Sequence, residues 1–164
     1  MSFAFCKPHN INYEPNFSKE NDSINLYAFI GQKISVTEFD PNLDNVQIEI
    51  DSISGDTIRQ VNYVMDNGFK AKYKVLKNVF NDLKTDTINF VAYDHYGRPG
   101  FENYEYVLLY ISLNKEKGNY YHQKYQFDPI EKKNGKWKGL NGKSINELFN
   151  EKKIGVLKAR GFFK

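Results

Sequence analysis

The chain has 164 residues, 40% hydrophobic and 26% charged, proportions that exclude a disordered or membrane-embedded class and fit one globular domain. Its 23 basic and 20 acidic residues are interspersed and leave a net charge of +3, which selects no polyanionic partner. The 16% aromatic content, much of it beside Val, Ile or Thr, favours strands, because flat and β-branched side chains fit a pleated, half-buried surface.

Residues 1–23 carry Pro8, Pro15 and several Asn and Asp without a hydrophobic period, and read as an irregular N-terminal arm. Cys6 is the sole cysteine, so no intrachain disulfide forms and no metal site rests on thiolates. The segment before it is too short for a signal peptide, and no run approaches the roughly 18 apolar residues of a membrane span, so the default compartment is the cytoplasm. Small and apolar residues running into Cys6 are the alternative mark of a trimmed export or lipoprotein signal.

A single β-rich domain is expected over 24–164. Leu26 to Ile30, Gly31 and the alternating Ile34, Val36 and Glu38 predict a long strand bent at the glycine and ended by Asp40-Pro41-Asn42. Residues 46–50 and 57–65 alternate around Ser54-Gly55-Asp56 and predict a hairpin. Asn67-Gly68 predicts a tight turn into a strand with Phe69, Ala71, Tyr73 and Val75 on one face and Lys70, Lys72 and Lys74 on the other. Ile88, Phe90 and Ala92 begin the next strand, and residues 94–100 form a polar loop. Tyr104 to Leu113 predicts a strand buried on both faces, and Tyr120 to Phe127 a Tyr-rich one. The lysines around Asn134-Gly135 read as a solvated turn. Ser144 with Glu147 is a capping box that opens a short helix presenting Ile145, Leu148 and Phe149, and Val156 to Phe163 predicts a last strand. The expected fold is therefore mainly β: a curved antiparallel sheet or OB-like barrel of about six or seven strands with one short C-terminal helix.

Tyr27 to Val36, Phe69 to Lys77 leading into Phe80-Asn81-Asp82, Thr87 to Ala92 and Glu105 to Tyr110 form a pattern over about two thirds of the chain that resembles the netrin-like modules, which include the tissue inhibitors of metalloproteinases. The resemblance implies an OB-type barrel. It does not carry inhibition by metal chelation, because those inhibitors use several disulfides and a free N-terminal cysteine, whereas Cys6 here follows five residues.

The loop with Asp94, His95, Tyr96 and Arg98 is the candidate binding loop: His95 could act as a base oriented by Asp94, with Arg98 holding an anion or simply pairing with Asp94. Phe69, Tyr73, Tyr121 and Tyr125 are the candidate aromatic surface for stacking. Strict alternation would put Tyr121, Gln123 and Tyr125 on one side and Tyr120, His122 and Lys124 on the other. His9, His95 and His122 have no metal-ligand spacing, phosphate-binding glycine motifs are absent, and no metal or cofactor is expected. The composition thus points to a non-enzymatic protein-binding domain, of the inhibitor or immunity type that neutralises a partner protein. The alternatives are a single-stranded nucleic-acid-binding domain, disfavoured by the balanced charge, and a small hydrolase-like enzyme using the 94–98 loop.

Overall fold

The structure, a computed structural model, describes residues 20–164. Cys6, His9 and most of the expected N-terminal arm lie outside the described residues. The strands are β1 (Tyr27–Phe39), β2 (Val46–Ile50), β3 (Thr57–Val61), β4 (Asn67–Phe80), β5 (Thr87–Asp94), β6 (Tyr106–Asn114), β7 (Asn119–Lys133) and β8 (Lys136–Gly139), followed by helices α1 (Ile145–Ile154) and α2 (Val156–Ala159). Six strands form one curved sheet in the order β5-β4-β1-β6-β7-β8, antiparallel at each of these steps, while among the described residues β2 and β3 pair only with each other. A short parallel contact between β5 and β7, through Phe90–Tyr120 and Val91–Tyr121, joins the sheet back on itself. The mainly β expectation with a short C-terminal helix holds.

Two cores follow from the alternation along β1 and β6. Phe29, Phe69, Tyr73, Phe90, Phe101, Leu109 and Ile111 fill the inside of the curved sheet. Ala28, Ile30, Leu108 and Tyr110 point the opposite way and meet Ile145, Leu148, Phe149 and Leu157 from the helices. Both strands are therefore buried on both faces at their centres, which is why they read as continuous apolar runs. Each large side chain buried in this way contributes roughly 1.5–3 kcal/mol. The backbone irregularity foreseen at Gly31 is present as a register shift between Ile30 and Gly31.

Asn67-Gly68 is not a hairpin turn. Neither residue has a left-handed φ, and both lie at the start of β4, where Asn67 pairs with Asp94 and Gly68 with Tyr93 and Phe39. Glycine serves there in another way: a Cβ at position 68 would stand 2.7 Å from the Phe39 ring and displace it from the place where it crosses the strand to meet Tyr93 edge-on at 6.2 Å. The tight Asn-Gly turn is instead Asn134-Gly135, with φ of 50° and 75°, between the paired Lys133 and Lys136.

The helix start agrees with the sequence. Ser144 Oγ accepts from the Glu147 amide, and the Glu147 carboxylate accepts from the Ser144 amide. Val156 to Phe163 is not a strand but the turn of helix α2 and a short tail. Its apolar residues still reach the helix-side core, where Leu157 is fully buried and Phe163 packs edge-on to Phe80 and Phe149. No helix among the described residues is long and apolar enough to cross a membrane.

Candidate functional site

Loop 94–98 is built by its first residue. Asp94 is buried and its Oδ1 accepts from the Tyr96 amide at 2.9 Å, so it shapes the turn and does not orient His95. The carboxylate beside His95 is Asp66, from the segment entering β4, with Nδ1 to Oδ1 at 3.3 Å. The other Asp66 oxygen accepts from Lys124 Nζ at 2.7 Å, and this bond, ahead of the one to His95, holds the Asp66 carboxyl below its ordinary range. His95 is about half exposed and Tyr96 projects into solvent at 86% exposure. Arg98 serves anchoring. Its guanidinium donates to both Glu102 oxygens at 2.8 Å and to the Val36 carbonyl at 3.0 Å, over the Phe69 ring. Neither expected partner role for Asp94 survives.

The aromatic surface divides. Phe69 and Tyr73 are 1% and 0% exposed and belong to the inner core, so they are unavailable for stacking. Their alternation with Lys70 and Lys72, with the lysine face toward water, holds, and it is this alternation that puts both rings inside. Tyr121 and Tyr125 do reach the surface, though not by simple alternation. Ile111 pairs with His122 and Leu109 with Phe127, so Gln123 to Gln126 bulge out opposite Tyr110. His122 and Gln123 are consequently both buried, and Tyr125 sits at φ 66°, an unusual value for an aromatic residue. Gln123 donates to Ser112 Oγ at 2.8 Å, and Arg160, from the tail after α2, donates to Gln123 Oε1 at 3.0 Å and to the Lys124 carbonyl at 2.8 Å. The bulge thereby brings Tyr125 to 6.5 Å from Tyr96, and the two sequence-predicted clusters meet at one end of the sheet.

Of two further surfaces, the lysine face of β4 was legible as water-facing and the β2–β3 arm only as a hairpin. Residues paired across a ladder project to the same side, so the outer face of the sheet carries three rows: Thr37, Lys70 and Val91; Ser35, Lys72 and Asn89; Gln32, Lys74 and Thr87. None of these residues is acidic. Beyond the rows, a hollow of about 560 Å³ is lined by Tyr93, Tyr121, Lys124 and Arg160 among others.

The second surface is the β2–β3 arm. The same pairing rule puts Val46, Ile48 and Ile50 with Val61 on one side, beside Thr57 and Arg59, and puts Gln47, Glu49 and Gln60 with Ile58 on the other. Ile48, Ile50 and Val61 are 69%, 72% and 46% exposed, so the apolar side faces solvent. The arm is nonetheless built. Asn42 pairs reciprocally with the Val64 backbone at its root, and Asn45 donates to the Asn62 carbonyl. At the tip, Asp51 accepts from the Ile53 and Ser54 amides, which hold its carboxyl below the ordinary range.

Among the described residues, no group of three His, Cys, Asp or Glu gathers as a metal site. No protein-family model, curated protein or solved structure matches the chain.

Proposed function

We propose that the chain is a protein-binding domain that engages another protein through the apolar side of the β2–β3 arm. One observation carries the reading: eight of the thirteen large hydrophobic side chains left exposed among the described residues fall between Leu43 and Met65. A two-stranded hairpin alone is marginally stable in water, and a contiguous apolar face is costly to leave open, so a covering partner accounts for both features. The arm offers a stitched root, a built tip and strand edges that no described residue pairs with, which suit recognition by surface contact and by strand addition. The scaffold reads as an OB-type barrel, supported by the series β5-β4-β1-β6-β7 with its parallel return to β5. Neutralisation of a partner, as by a small inhibitor or immunity protein, is the corresponding role.

The test is a photo-crosslinking residue at Ile53, the most exposed tip position, in otherwise native and in I48D/I50D chains. Because these side chains lie outside both cores, the double variant keeps its circular dichroism spectrum. The native arm crosslinks a defined protein and the double variant does not. Equal crosslinking by both, or crosslinking only to a second copy of the chain with a matching dimer in sedimentation, would sink the proposal.

A further inference from the structure

We propose that the outer face of β1, β4 and β5 binds the sugar-phosphate backbone of a single-stranded nucleic acid, with Tyr121 and Tyr93 stacking on its bases. This surface is separate from the β2–β3 arm. Lysines that alternate with apolar residues along β4 are gathered on one face here, because a strand sends every second residue to the same side. Lys70, Lys72 and Lys74 are all exposed and stand on one strand at intervals of about 6.7 Å, twice the rise per residue. A line of cations with no carboxylate between them among the described residues follows a linear polyanion better than a compact ligand. A hollow of about 320 Å³, lined by Lys70, Lys72, Ser35, Thr37 and Asn89 among others, lies along that line and adds hydroxyl and amide donors for phosphate and sugar oxygens.

The aromatic end of the track is what selects nucleic acid over an acidic protein. Val91 pairs with Tyr121, so the outer rows continue directly onto the Tyr121 side chain, and Tyr93 shares its hollow. Both rings are partly exposed and fixed on strands, the arrangement on which bases stack without sequence preference. Asp66, the carboxylate in that hollow, is bonded to Lys124 and so presents little free negative charge to a phosphate.

The experiment is fluorescence anisotropy of a labelled oligothymidylate with the native chain at low salt, followed by a salt titration. Saturable binding that weakens with salt is expected. K70T/K72T/K74T keeps strand-forming residues on an exposed face, and it should bind about tenfold or more weakly. At about 0.7 per phosphate contact for single strands, its log–log salt slope should be shallower by about 2. Y121A should weaken binding about tenfold while leaving the salt slope unchanged. K132T/K133T/K136T, on the β7–β8 turn, should bind as the native chain does. No binding at low salt, or equal loss from the β7–β8 control, would overturn the site. Full displacement by polyglutamate of matched charge, with Y121A inert, would assign the face to an acidic protein and overturn it as well.

Discussion

The imidazole Nε2 of His122 donates to the carbonyl oxygen of Gln126 at 2.8 Å and closes the β7 bulge from the inside. The carbonyl can only accept, so Nε2 carries the proton of the neutral ring. The ring is buried edge-on to Phe101 at 4.7 Å and lies 6.2 Å from Phe90, and this burial, aided by the nearby Arg160 charge and opposed by the Gln126 bond, pushes its pKa down to about 4.

A histidine whose folded pKa lies below its unfolded value of 6.5 makes the unfolded chain bind the extra proton first. Its stabilising contribution is complete above that value, is lost progressively as pH falls toward about 4, and does not decline further below it. The loss over this window amounts to about 3 kcal/mol. Urea denaturation between pH 7 and pH 4 should show a decline in the native chain that is markedly flatter in His122→Leu. Parallel declines would show that His122 does not titrate in this way.

Asn81 should be among the least replaceable polar residues. It holds φ 53°, its Nδ2 donates to the Leu26 and Ile24 carbonyls at 2.8 and 3.0 Å, and its Oδ1 accepts from the Asn21 amide at 2.7 Å. Asn81→Ala loses these bonds and the tolerance of the left-handed backbone, at a cost of about 3 kcal/mol. Asn81→Gly restores only the backbone term and should fall between the two in denaturant midpoint. Equal losses for Ala and Gly would remove the backbone part of the argument.

Gly31 leaves room for three core side chains. A Cβ there would come within 3.0 Å of Phe29 and Tyr73 and 3.3 Å of Leu109, none of which is exposed and able to swing away. Gly31→Ala should therefore destabilise by about 2 kcal/mol through overpacking, measurable by thermal or urea unfolding. A neutral or stabilising effect would mean that the inner core is looser than its packing implies.

Helix α1 depends on its cap. Ser144→Ala removes the hydroxyl that accepts from the Glu147 amide and should lower stability by about 1 kcal/mol, whereas Ser144→Asp should retain most of it. An Ala variant as stable as the native chain would show that packing of Ile145, Leu148 and Phe149 alone sets the start of the helix.

The candidate site was only half visible in the sequence. The loop with Asp94, His95, Tyr96 and Arg98 could be recognised as a polar break, because glycine, proline and aspartate act locally on the backbone. Its pairings could not. His95 meets Asp66 and Arg98 meets Glu102, and the first of these requires β4 and β5 to lie side by side. The Tyr-rich strand misled for a related reason: alternation assumes an unbroken ladder, and the bulge opposite Tyr110 puts His122 and Gln123 inside together. Tyr93 and Phe39 gave no signal as neighbours, since their contact passes over the bare backbone of Gly68.

What the sequence determined by itself were features of short range. The period of two along β4 and β5, the continuous apolar run of β6, the capping box at Ser144 and the hairpin of β2 and β3 each depend on residues a few positions apart, so their chemistry is complete within the segment. The dipeptide Asn-Gly marks the limit. At 134–135 it bends into a tight turn, because the flanking Lys133 and Lys136 pair with each other. At 67–68 the same two residues run straight into β4, because Asp94 and Phe39 from neighbouring strands pair with Asn67 and Gly68 themselves and an aromatic ring lies where a side chain at 68 would stand. Identical local freedom thus led to opposite conformations, and the deciding energy came from strand pairing and ring packing that exist only once the sheet has formed.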